Sequence, residues 1–364
     1  MLSNEFSESD ADYNSKKVDV SKFGFDPYEN KRAKEDIYNS QFNALQLFER
    51  NIVSIPKLIE PFYQKVGLAA LVGESDCGKS TFLTQMALSI ALGKKEFLNF
   101  KINSNTNKVI YVSTEDDPNS LTVKIKKQLS IINKFDKTKL KNLDFIFNTE
   151  NIVEKLDQLM LKNKGETDLI IVDAFSDVFT GEVNSSKDVR NFLNKYDDLA
   201  KKYNCLIVML HHIKKGSERY INKNSIIGSQ SFEAKMRSIV HLSPHKKEYV
   251  KLSITKGNFI SDKQKDIISV LSFKNQTFHN TGQDLKKSDN TISQDKDVLN
   301  LIKKHYTTLK SKDKFNSVRD VTKLLEGTPQ EVKSTVVGEI VKKNGDELKK
   351  IRESILKKEN SFNK

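Results

Sequence analysis

Residues 73–80, Gly-Glu-Ser-Asp-Cys-Gly-Lys-Ser, constrain the fold of this chain more than any other stretch. The pattern G-x-x-x-x-G-K-S is a phosphate-binding loop when a strand leads into it and a helix leads out. Both are present. Leu68, Ala69, Ala70, Leu71 and Val72 form an apolar run of buried-strand length, and Phe82, Leu83, Met86, Ala87, Ile90 and Ala91 recur at helical spacing. The order matters physically, because glycines let backbone N–H groups wrap phosphate oxygens while the positive helix terminus faces the anion. In such a loop Gly73, Glu74, Ser75, Asp76, Cys77, Gly78, Lys79, Ser80 and Thr81 surround the phosphates. Lys79 reaches the β and γ oxygens, and Ser80 offers its hydroxyl to Mg²⁺. Glu74 and Asp76 are expected to face away, since carboxylates turned inward would repel the ligand. Nucleotide binding, with ATP and Mg²⁺ as the ligands, is the first expectation.

The chain beyond the loop alternates strand and helix. An apolar run at 108–114 ends before Glu115, and Asp117-Pro118 supplies an N-cap and first-turn pair for a helix reaching about 131. A strand at 144–147, a helix at 152–163 and the run Leu169-Ile170-Ile171-Val172 ending at Asp173 continue the pattern. A polar loop is expected at 174–186, then an amphipathic helix at 187–203, a buried strand at 205–210 ending in His211-His212, a second polar loop at 214–227 and a helix at 229–237. The β-α alternation predicts a mainly parallel sheet flanked by helices. Period-two runs at 249–255, 267–273 and 276–279 predict trailing antiparallel strands, with the core ending near Gly282.

The flanks differ from this core. Residues 1–45 are polar and read as a mobile N-terminal arm, with a short apolar pattern beginning at 42. The core is assigned to 46–282. Residues 283–364 are basic and helical in pattern, and short amphipathic segments leave a winged-helix or helix-turn-helix module and a charged appendage as alternatives. A net charge of +13 is compatible with a polyanionic partner, but only seven of the 61 basic residues are arginine, so charge alone does not specify nucleic acid. Two cysteines, one in the loop and one at an apolar strand, form no disulfide framework. No apolar run reaches membrane-spanning length, and the N-terminus lacks a leader pattern, so no membrane partner and a cytoplasmic location are expected.

Hydrolysis of a γ-phosphate requires positioning and charge neutralisation more than covalent chemistry, so the strand ends facing the loop supply the remaining candidates. Asp173 is placed to hold Mg²⁺ together with Ser80. Glu115 is placed to polarise water, with Asp116 and Asp117 as competitors, Asp117 being better explained as a cap. His211 or His212 is placed to contact the γ-phosphate. Adjacent histidines point opposite ways, so no metal site is expected of them.

The loop, Val-Ser-Thr-Glu-Asp-Asp-Pro, Leu-Ile-Ile-Val-Asp, His-His and the stretch 228–237 together resemble RecA-like ATPases of the RepA type, hexameric replicative helicases of plasmids and mobile elements, over about residues 46–282. The resemblance implies a RecA-like core and ATP hydrolysis. It puts Lys79, Glu115, Asp173 and His212 in one subunit's site, makes Arg237 an arginine finger for the neighbour's γ-phosphate, and brings Lys256 near a nucleotide. It also implies a homo-hexamer on single-stranded DNA, with Lys214, Lys215, Arg219 and Lys223 contacting phosphates and Tyr220 stacking on a base. A DNA helicase in replication of a mobile element is the expectation. The alternative is a non-translocating ATPase switch in DNA loading, regulation or defence.

Overall fold

The computed structural model describes residues 41–50, 52–132, 134–182, 184–213, 230–245, 248–287, 298–303, 322–323 and 334–362. A short helix, α1 (Ala44–Phe48), opens it, closed by a reciprocal Asn43–Gln46 capping box and burying none of its residues. Strands β1 (Lys57–Ile59) and β2 (Tyr63–Gln64) form a small antiparallel pair before β3 (Gly67–Gly73), whose seven residues are all buried. Helix α2 (Lys79–Ala91) follows the glycine loop, then the β4–β5 hairpin (Glu96–Phe97, Phe100–Lys101) and β6 (Val109–Ser113). Helix α3 (Pro118–Ser130), β7 (Leu143–Ile146), α4 (Ile152–Lys162) and β8 (Leu169–Asp173) continue the alternation. Asp117 caps α3 as expected, accepting from the N–H groups of Asn119 and Ser120.

After β8 come a single-turn helix α5 (Phe175–Val178), the long helix α6 (Ser186–Tyr203), β9 (Leu206–His212), α7 (Gln230–Lys235) and β10 (Ser238–Pro244). Strand β11 (Tyr249–Gly257), α8 (Asp262–Asp266), β12 (Ile267–Lys274) and β13 (Thr277–Lys286) complete the core. Nine strands form one sheet in the order β13-β12-β11-β10-β3-β9-β8-β6-β7. From β10 to β7 neighbouring strands are parallel, while β10 to β13 pair antiparallel. This is the mainly parallel, helix-flanked sheet with trailing antiparallel strands that the alternation predicts.

The faces of β3 explain why the layers pack as they do. Ala69 and Leu71 join Phe82, Leu83 and Met86 of α2 in one core cluster, while Leu68, Ala70 and Val72 join Val189, Leu193 and Tyr196 of α6 in the other. A strand covered on both faces reads as a continuous apolar run, which is what residues 68–72 are. Farther along, Val298 and Ile302 pack with Val337 and Ile340 of α9 (Ser334–Lys343) and Leu348 of α10 (Gly345–Phe362) in a small separate core.

Several expectations are corrected. The stretch 174–186 is not polar throughout: Ala174, Phe175, Val178 and Phe179 are buried, and Phe175 packs edge-on against Phe192, His211 and Phe232. Helix α7 ends at Lys235, so Arg237 lies outside it at the entrance to β10. Strand β10 itself, the neighbour of β3, has no counterpart among the predicted elements. Its buried Ser238, His241 and Ser243 interrupt the apolar run by which a central strand is recognised. Gly282 is not the boundary either. Strand β13 continues to Lys286, with Gln283 opposite Val270 and Asn280 opposite Leu271, and Gly282 occupies the resulting bulge at φ +73°.

Candidate nucleotide site

The glycines of the loop are dictated by close contacts. A Cβ on Gly73 would lie 2.3 Å from the Leu242 carbonyl oxygen, and one on Gly78 would meet the Phe278 ring at 2.8 Å. Gly78, the residue before α2, also takes φ +86°, a conformation that glycine adopts without steric cost. Between them Cys77 is buried against the same carbonyl of β10, its Sγ 3.4 Å away, and burial pushes its thiol up to about 11. Cys77 therefore packs the loop against the sheet as a neutral thiol. Lys79 is buried, and its ammonium donates to the Glu74 carbonyl at 2.5 Å. The loop thus holds its lysine among backbone groups.

Asp173, at the end of β8, is 2 % exposed. One carboxylate oxygen accepts a 2.6 Å hydrogen bond from the Tyr111 hydroxyl on β6, and the other has no hydrogen-bond partner. Burial raises its pKa, and the Tyr111 hydrogen bond opposes that rise. Buried carboxylate oxygens are ordinarily satisfied, so an orphan oxygen beside Ser80 marks a place for a donor or a cation. Mg²⁺ fits this donor set, since it is commonly held by one or two carboxylates plus substrate phosphates. The Asp173–Ala174 peptide bond is cis.

Strands β6 and β9 bring Glu115 and His212 together across β8. Glu115 Oε1 lies 3.3 Å from His212 Nε2, with both side chains partly exposed. Neighbouring acids are otherwise engaged: Asp117 caps α3, and Asp116 pairs with Lys124 of that helix. The Ser113 hydroxyl donates to the Asp116 carbonyl at 2.9 Å and fixes the turn carrying Glu115. His211 faces the other side of the sheet, buried between Phe175 and Phe232. Of the two histidines, His212 is the one at the site.

Arg237 and Lys256 lie elsewhere. The Arg237 N–H donates to the Leu68 carbonyl at 2.7 Å, and its side chain passes Gly67, at the start of β3. Lys256 is opposite Ile239 in the β10–β11 ladder, and its ammonium donates to the Glu233 carbonyl of α7 at 2.5 Å. The loop leaves the other end of β3, about 20 Å away at roughly 3.3 Å per residue. Neither side chain spans that distance, so neither joins the phosphate loop of its own chain. Arg237 instead lines a cleft of about 180 Å³ with Ile55, Pro56, Asp197, Lys201 and Phe259. Lys214, Lys215, Arg219, Tyr220 and Lys223 lie outside the described residues.

Sequence reasoning missed Tyr111, Lys124, Phe273 and Phe278. Tyr111 reads as one more strand residue, and only its hydroxyl inside an apolar run hints that it needs a buried partner.

The glycine loop, the buried carboxylate and the parallel sheet define a class, the P-loop ATPase domain. Residues 40–218 match the family described as an AAA domain. Among solved structures, the chain is similar to the ATPase domain of a helicase, with 14% identity, 65% of this chain and 95% of that chain covered, and a TM-score of 0.44. Curated proteins yield no match. Among the described residues no helix is long and apolar enough to cross a membrane.

Proposed function

We propose that this protein is a RecA-like ATP-driven motor of the RepA type that assembles head-to-tail into a ring, a hexamer, and unwinds DNA for replication of a plasmid, phage or mobile element. One observation carries the reading: Arg237 and Lys256 sit at the end of the sheet opposite the loop, so a site that uses them takes them from a second copy. A heterologous contact repeated around an axis closes into a ring.

Within one subunit the roles follow from position. Lys79 neutralises the β and γ oxygens, and Glu115 accepts a proton from the attacking water while His212 orients that carboxylate and senses the γ-phosphate. Ser80 and Asp173 hold Mg²⁺, which supplies charge neutralisation between the β and γ oxygens. Lys214, Lys215, Arg219 and Lys223 contact DNA phosphates, and Tyr220 stacks on a base. Strand displacement on a forked duplex tests the motor. ATP turnover without displacement across several fork designs would replace it with a nucleotide-state switch acting in DNA loading, regulation or defence.

Two substitutions probe the parts of this reading separately. Tyr111→Phe keeps the ring against Phe145 but removes the hydroxyl that donates to Asp173. ATP turnover should fall roughly tenfold, a loss of about 1.4 kcal/mol, within the range for an unsatisfied buried group. The Mg²⁺ concentration giving half-maximal rate should rise with it. An unchanged Mg²⁺ titration would show that Tyr111 only packs. Replacing Lys214, Lys215, Arg219 and Lys223 by alanine should weaken single-stranded DNA binding and flatten its salt dependence, by roughly 0.7 in log–log slope for each phosphate no longer neutralised. ATP binding should persist. An unchanged slope would move the DNA site to the basic region after 282.

A further inference from the structure

Phosphates seated on the glycine loop leave the base of ATP to be held elsewhere, and the hairpin β12–β13 supplies a surface for it. His212, Asp173 and Glu115 stand on β9, β8 and β6, all on one side of β3. With the γ end toward those residues, the α-phosphate and nucleoside turn toward the other side, where β10 to β13 lie. The hairpin returns there to the start of α2. Its two-residue turn, Asn275-Gln276, has both residues at positive φ, 51° and 60°, as tight hairpins require. Gln128 of α3 donates to the carbonyls of Thr81 and Gln276, at 3.0 and 3.2 Å, and so ties the turn to the residue that follows Ser80. Gln85 of α2 clamps the backbone of Phe278 in both directions, at 2.9 and 2.8 Å.

This bracing presents an aromatic surface to the phosphate loop. Phe273 and Phe278 stack at 4.4 Å between centroids with planes 15° apart, and the edges of both rings meet the position a Cβ on Gly78 would take. Phe278 is 1 % exposed and fills the core against Phe82, whereas Phe273 is half-buried. The accessible face of the pair therefore belongs to Phe273. An aromatic face held rigidly beside a phosphate seat, on the nucleoside side, matches the chemistry of a purine ring, since every base offers a π-face to stack on.

We infer that Phe273 is the platform on which the nucleobase stacks, with Phe278 as its backing, a role that rests on the loop binding ATP. A phenyl face carries no hydrogen-bond donor or acceptor, so this contact selects by stacking area: ATP and GTP bind alike, and CTP and UTP bind less tightly.

Calorimetric titration of the full chain with ATP and with inorganic tripolyphosphate tests it, using Phe273→Leu and Phe273→Trp. Phe273→Leu keeps apolar volume over Phe278 but removes the ring face. It should weaken ATP binding roughly tenfold to a hundredfold, the range for loss of one stacked base. Tripolyphosphate binding should be unchanged, and Phe273→Trp should bind ATP at least as well as the parent. A parallel loss of ATP and tripolyphosphate binding in Phe273→Leu, or no loss of either, would overturn the platform. A parent chain that binds neither ligand would remove the nucleotide reading itself, a distinct outcome that takes the platform with it.

Discussion

Glu115→Gln should bind ATP as the parent does and hydrolyse it at least about a hundredfold more slowly, the lower end of what general-base catalysis contributes. The amide keeps the shape of the side chain and can still meet His212, 3.3 Å away, but it cannot take a proton from water at neutral pH. Single-turnover hydrolysis alongside equilibrium ATP binding separates the two effects. Asp116→Asn is the informative partner. Asp116 is paired with Lys124, a side chain 11 % exposed, so its loss leaves a buried ammonium poorly matched and should lower thermal stability more than it lowers turnover. If Asp116→Asn abolishes hydrolysis in a protein that melts normally while Glu115→Gln retains it, the carboxylates have been assigned in the wrong order.

That choice among three consecutive acids shows where the sequence is legible and where it is not. Asp117 declares itself through the proline that follows it, and the structure has it capping α3. Separating Glu115 from Asp116 depends on Lys124, eight positions away within α3, which no local pattern announces. The same contrast runs through the fold. Strands β3, β6, β8 and β9 are apolar almost throughout because both their faces are covered, and period and composition find them. Strand β10 is equally buried but carries Ser238, His241 and Ser243 inward, and it escapes the same criterion. Burial and the nearby Lys79 charge push His241 down to about 3, so it occupies the core as a neutral ring, a state its letter alone does not disclose. Tyr111 and Phe273 were illegible for another reason. Each matters through a partner far along the chain, Asp173 for one and Gly78 for the other, and tertiary pairing of that kind leaves no spacing to read.

Arg237→Ala should bind ATP nearly as well as the parent and hydrolyse it about 10³-fold more slowly or worse, the scale on which arginine fingers act. Arg237→Lys should recover little of this, because a point charge does not reproduce a planar fork. Lys79→Ala should be inactive for the opposite reason, with an intact finger and a failed phosphate seat. Since Arg237 stands beside Leu68 and the loop leaves β3 at its far end, the two lesions fall in different sites of an assembled ring. Mixing the two inactive proteins before assembly should then restore turnover, because some interfaces join an unaltered Arg237 to an unaltered Lys79. The mass of the assembly, measured with ATP and single-stranded DNA, establishes that the two proteins have combined. Mixed rings that stay inactive would place the action of Arg237 within its own chain or in packing of the cleft it shares with Asp197 and Phe259. Full activity of Arg237→Ala alone would remove it from the site and, with it, the requirement of hydrolysis for a second copy.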